Sequence, residues 1–166
     1  YEPTEADREK PDDEYYRLIT KASYAYAGGD VHVWKIEFVE GYDVSKHLIH
    51  IYVDADNNIL TGRQDVNADG GFNTWQGVDA FFTLDNQTDE WQISRREYKP
   101  TGNVLHLQDN LPIFVVDGNT VYCRYDIAKN KVGDELIFRG RVVSQKPGKV
   151  VNFTPWLHIT NQAYSK

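Results

Sequence analysis

The stretch "VHVWKIEFVE", residues 31 to 40, alternates. His32, Trp34, Ile36 and Phe38 fall on one side and Val31, Val33, Lys35, Glu37 and Val39 on the other. A repeat of two becomes a face only in a β-strand, whose successive side chains point to opposite sides; on a helix the same residues would be scattered round the axis. The first set therefore predicts a core-facing stripe that includes Trp34. The same alternation recurs in "RLITKASYAY", "HLIHIYVD", "VDAFFTL", "EWQISRR", "NTVYCRYDI" and "LIFRGRVVS", separated by clusters of Gly, Asn, Asp and Pro. Helical periodicity is confined to "DVSKH" and "DIAKNKVG", each long enough for one or two turns, the second ending at Gly133 as a helix C-terminus does. Parallel neighbours need crossovers of about a dozen residues or more, and none is offered between these strands. The expected fold is all-β: an antiparallel sandwich, jelly-roll or immunoglobulin-like, in preference to a barrel.

A chain of 166 residues is the size of one domain with a core of its own. Residues 1–16, "YEPTEADREKPDDEYY", are acidic and proline-bearing with little to bury, the composition of a linker or arm, so the sandwich is expected over 17–166. With 18 Lys and Arg against 25 Asp and Glu, the formal charge is -7, which disfavours a nucleic-acid partner held by phosphate contacts. No apolar run reaches the roughly 18–20 residues of a membrane span, and no signal-peptide core is visible. The chain starts at Tyr1 and contains no Met, which predicts a processed, secreted or cell-surface module of a longer protein, with bacterial export as the expected route. The single Cys123 cannot form an internal disulfide and reads as a small buried hydrophobe.

Between two strands lies "DADNNILTGRQDVNADGGFNTWQGVD", residues 54 to 79, too long for an ordinary connection. Asp54, Asp56, Asn58, Asp65, Asn67, Asp69 and Asp79 crowd oxygen into it. Carboxylates packed together repel one another, and a hard cation relieves that repulsion. Asp65, Asn67 and Asp69 stand at positions one, three and five of a calcium-type loop, with Gly70 at six; position twelve is Gln76, so a bidentate acid must come from Asp79, Asp54 or Asp56. The segment contains no His or Cys, which argues against zinc, and magnesium tolerates so many protein oxygens poorly. Turns that cap their own backbone account for "DNN" without any ion. Calcium on Asp54, Asp56, Asp65, Asn67, Asp69 and Asp79 is the expectation for the whole segment.

"YVDADNNILTGRQD", continued by "GVDAFFTL", resembles the aspartate, aspartate, Thr-Gly, Gly-x-Asp pattern of family 9 carbohydrate-binding modules and the related DOMON-like β-sandwiches. Asp54, Asp56, Thr61, Gly62 and Asp79 fall on the shared pattern, and the strand, turn and strand of "NTVYCRYDIAKNKVGDELIFRGRV" follow in the same order. The resemblance implies a calcium-supported antiparallel sandwich appended to a secreted polysaccharide-degrading enzyme, with a polysaccharide or oligosaccharide and the neighbouring catalytic domain as partners.

Sugars offer flat apolar faces rimmed by hydroxyls, so a sugar reader needs aromatic plates beside polar groups. Trp75, after the acidic loop, and Trp156, after Pro155, are the candidate plates; Arg63, Asn73 and Gln76 are the candidate polar partners, although solvated loop residues look the same. Three rivals compete. Glycoside hydrolysis needs a carboxylate pair whose separation is not readable from sequence, and no other catalytic motif is present. A haem-binding sandwich would lack its axial methionine and would need a bis-histidine site in its place. A structural or docking sandwich would keep the calcium and have no sugar site.

Overall fold

The computed structural model describes residues 19–44, 48–64, 76–85, 92–99, 103–128, 131–132, 137–146, 149–154 and 156–160. They form strands β1 (Ile19–Gly28), β2 (Val31–Phe38), β3 (Leu48–Asp54), β4 (Ala80–Asp85), β5 (Gln92–Tyr98), β6 (Val104–Leu107), β7 (Ile113–Asp117), β8 (Thr120–Asp126), β9 (Ile137–Lys146), β10 (Lys149–Phe153) and β11 (Leu157–Thr160). One sheet has the order β1-β2-β8-β7 and the other β10-β9-β3-β4-β5-β6, with β11 also on β9. Every pairing is antiparallel. The protein is the expected all-β sandwich, and no helix among the described residues is long and apolar enough to cross a membrane. Of the two expected helical turns, only fragments are described; Lys131 N–H donates to the Ala128 carbonyl at 2.8 Å, closing a single turn. The expected arm, residues 1–16, lies outside the described residues.

The decisive stretch behaves as its alternation requires: His32, Trp34, Ile36 and Phe38 are all buried. They meet Ile49, Ile51 and Val53 of β3, Phe82 and Leu84 of β4, and Val121, Cys123 and Tyr125 of β8 in one core. Cys123 is fully buried, as a small hydrophobe should be. The Trp34 indole N–H donates to the Tyr125 hydroxyl at 2.9 Å, so the largest core side chain leaves no polar atom unsatisfied. Gly140 on β9 makes room for that indole, because an added Cβ would lie 2.6 Å from its Cζ2. Gly140→Ala is therefore expected to cost about 1–2 kcal/mol by overpacking, read as a lower denaturation midpoint with a changed tryptophan emission.

His32 is buried beneath Tyr125, rings stacked at 5.4 Å, and its Nδ1 lies 2.9 Å from the Tyr24 hydroxyl. Burial outweighs the upward pull of Asp126 and Asp30 and takes the imidazole down to about 4. The folded state thus refuses a proton that the unfolded chain accepts near 6.5. Stability from this group is complete above about pH 6.5 and is lost as pH falls to 4. The stability advantage of the wild type over His32→Gln is expected to shrink by about 2–3 kcal/mol across that interval, as checked by urea melts at each pH.

Four strands, β6, β7, β10 and β11, go beyond the seven runs read from the sequence. Each is four or five residues long. β7 exposes most of both faces, so it carries no inward and outward alternation to read. β10 and β11 share one edge of β9, and Thr154 between them keeps the ladder continuous. Its N–H donates to the Val142 carbonyl at 2.8 Å and its hydroxyl accepts from the Val142 N–H at 3.0 Å.

Candidate functional site at the end of β3 and β4

β3 runs off its sheet at Asp54, and β4 begins just after Asp79. Asp79 is tied to both neighbours. Its N–H donates to the Val53 carbonyl at 2.8 Å, its carbonyl accepts from Tyr98 N–H at 2.7 Å, and its Oδ2 accepts from Ala55 N–H at 2.8 Å. The intervening chain first closes a compact turn. Asn58 N–H lies 3.1 Å from Asp54 Oδ1 and 3.0 Å from Asp56 Oδ1, Asn58 Oδ1 accepts from Leu60 N–H at 3.0 Å, and the Thr61 hydroxyl stands 2.8 Å from Asp56 Oδ2. Arg63 N–H then donates to Val78 O and Gly77 N–H to Arg63 O, both at 2.8 Å, so the long loop is pinned at its base.

This pinning brings Asp54, Asp56 and Asp79 together, with carboxylate oxygens within 4.8 Å of one another. Asp54 is fully buried and the other two are half-buried. Burial, reinforced by Asp56 and Asp54 against the opposing backbone hydrogen bonds, raises the Asp79 carboxyl to about 7. Gly62 packs against the same corner at φ +68, where an added Cβ would overlap the Val78 carbonyl oxygen and lie 2.8 Å from Asp79 Oδ1. Three hard oxygen ligands with no nitrogen or sulfur suit calcium, which takes six to eight oxygens in flexible geometry. Three of the six expected metal ligands thus converge. Asp65, Asn67 and Asp69 lie outside the described residues.

Of the expected sugar-binding residues, Trp75 and Asn73 also lie outside the described residues. Trp156 is half-buried on a second apolar cluster of Tyr52, Val78, Phe81 and Tyr98, apart from the main core. Arg63 places its guanidinium 5.9 Å from the Tyr98 ring centroid, and Tyr98, like Trp156, packs on this second cluster. Gln76 is half-buried in the turn before Gly77.

Beside the acidic corner a cleft of about 360 Å³ enters the end of the sandwich. Its lining includes the apolar Ala55, Ala80 and Ile127 and the charged Asp56, Asp79, Glu97 and Lys131. Glu97 is held by Arg95, whose Nη2 lies 2.6 Å from Oε1, and by Lys131, whose Nζ lies 3.0 Å from Oε2. Burial alone would push the Glu97 carboxyl up; these hydrogen bonds bring it below its usual value. Sequence reading missed this group. Its one signal was the run "RRE", in which Arg95 occupies an inward position of β5 and so requires a buried acid. The chain matches no protein-family model, and no curated protein sequence matches it significantly.

Proposed function

We propose that this sandwich is a non-catalytic carbohydrate-binding module, stabilised by calcium and carried by a larger secreted polysaccharide-processing protein. The observation that supports it most is the convergence of Asp54, Asp56 and Asp79 at the base of a long oxygen-rich loop. In this reading the ion takes those three carboxylates, and Asp65, Asn67 and Asp69 supply further oxygens from the loop. Ion binding orders the loop before the ligand arrives, so that binding does not have to supply that ordering entropy. In this reading Trp75 and Trp156, with Arg63, Asn73 and Gln76, form the sugar-facing set. The test is a glycan array probed in calcium and again in chelator. Binding to at least one polysaccharide, weakened by chelation, is the expected result. An array without any bound glycan under either condition would remove the carbohydrate reading.

A docking sandwich without a sugar site is the second reading, and β7 favours it. This edge strand exposes Ile113 and Val115, each about half accessible, beside Tyr122 of β8. Exposed apolar surface on a sheet edge suits contact with a neighbouring domain. Val115→Lys would weaken such a contact and leave glycan binding untouched.

A further inference from the structure

We propose that β7 pairs with β7 of a second copy of this chain, antiparallel across a two-fold axis at Val115, so that two four-stranded sheets join edge to edge. This rests on the docking reading of the β7 edge, to which it gives an occupant, and is independent of any sugar site. The sheets end in β1, in β7, in β6, and in β10 with β11. Sheet edges are normally blunted by bulges, lysines or shortness. β1 breaks its register at two points and contains Lys21; β10 breaks its register once and contains Lys149; β6 and β11 have only four residues each. β7 has none of these devices. It pairs with β8 over consecutive residues from Ile113 to Asp117 without a shift, and its "IFVV" is strongly β-forming and uncharged. Val116 lies on the inward face yet stays 38% exposed, whereas its cross-strand partner Val121 is fully buried. The missing cover is the flank of a further strand.

The hairpin fixes which backbone groups face outward. Gly118, at φ +58, opens a two-residue turn that makes Asp117 and Thr120 the hydrogen-bonded closing pair. Hydrogen-bonded and open positions alternate along an antiparallel pair, so Ile113, Val115 and Asp117 turn their N–H and C=O toward β8, and Phe114 and Val116 turn theirs to the free edge. Two antiparallel copies of β7 centred on Val115 match these groups: Phe114 of each copy exchanges both bonds with Val116 of the other. This register engages every residue of the strand. On the solvent face it sets Val115 beside Val115, with Tyr122 beyond each, in one apolar row across the axis. On either side of that row, Asp117 of one copy lies beside Ile113 of the other, whose cross-strand neighbour is Arg124. Arg124 is 47% exposed and reaches Asp126 only at 3.6 Å. Its guanidinium therefore has donors to spare for a carboxylate two strands away, about 10 Å at the backbone. Charge is thus complementary at both ends of the shared edge. An apolar strand from an unrelated partner would satisfy the backbone and leave Arg124 and Asp117 unmatched.

Sedimentation of this chain is expected to show its mass rising from one copy toward two between about 10 μM and 1 mM, the range of a small transient interface. Val115→Lys sets two ammonium groups side by side at the axis and should weaken association by about tenfold. Register is read by cross-linking. Val115→Cys places two thiols at a non-hydrogen-bonded pair, with Cα atoms about 4.5 Å apart and within disulfide reach, so mild oxidation should give a covalent dimer. Ile113→Cys leaves its thiols about 13 Å apart along the strands and should give none. Both positions are about half exposed, so neither substitution disturbs the core, and Cys123 is buried away from the reaction. A mass that stays at one copy throughout, association indifferent to Val115→Lys, or cross-linking of Ile113→Cys as readily as of Val115→Cys would overturn the proposal. The first of these results leaves the docking reading standing, with a neighbouring domain as the occupant of the edge, and none of them bears on the glycan array.

Discussion

Asp79→Asn is expected to stabilise the calcium-free protein at pH 8 and, at the same time, to abolish its stabilisation by calcium. Asp79 is half-buried and shares its corner with Asp54 and Asp56, and its carboxyl is raised to about 7. For an acid whose folded pKa lies above its unfolded value, the contribution to stability is complete below about pH 4 and is lost as pH climbs through 7. Above pH 7 the calcium-free protein bears the full cost of an unwanted charge, at most about 4 kcal/mol for a displacement of some three units. Asparagine keeps an oxygen for Ala55 N–H and removes the charge. The variant should therefore match the wild type near pH 4 and exceed it increasingly toward pH 8. Calcium reverses the order, because the ion needs the carboxylate that the variant lacks. The wild type's calcium affinity should rise with pH up to about 7, one proton leaving as the ion enters. Thermal melts of both proteins at pH 4, 6 and 8, with calcium and with chelator, check all of this.

Gly62→Ala should cost about 3–4 kcal/mol, roughly 1–2 from a left-handed conformation and the rest from overlap with neighbouring atoms. The overlap falls on the Val78 carbonyl oxygen, which is held by Arg63 N–H at 2.8 Å and so has little freedom to move. The new methyl also meets Asp79 Oδ1 at 2.8 Å, so the substitution should blunt the calcium response as well as lower the melting temperature. Gly118 provides the control. It too has a positive φ, +58, but nothing lies within 4 Å of its would-be Cβ. Gly118→Ala should therefore cost only the conformational part, about 1 kcal/mol, and leave the calcium response alone.

The fold was legible wherever one strand face is buried and the other is not. In β2 each inward residue is apolar or, at His32, buried with a hydrogen-bond partner, and the period of two survives intact. β3 shows where such reading stops. Its alternation put Ile49, Ile51 and Val53 in the core, but His50, Tyr52 and Asp54 on the other face are buried too. That second burial comes from Phe81 beside Tyr52, their rings 4.6 Å apart, and from Trp156, which arrives from the far end of the chain. No local pattern announces a contact between residues 52 and 156.

Density of oxygen at the ends of two strands was enough to single out Asp54, Asp56 and Asp79, since strands paired at Val53 and Ala80 must bring their flanking residues close. The cleft was not legible. It depends on where the turn after β8 sets Ile127 and Lys131 against Glu97, a register between two sheets that alternation within one strand does not encode. Its charged lining residues come from segments as far apart in sequence as Asp56 and Lys131.

Calcium titrated into chelator-stripped protein, by calorimetry with a parallel melt, tests most directly whether the crowded carboxylates serve an ion. One saturable site is expected, with a rise in melting temperature of about 5–10 °C at a hundredfold excess over the dissociation constant, and both signals should vanish in Asp79→Asn. No heat of binding, together with melting curves that superimpose in calcium and in chelator, would contradict the account.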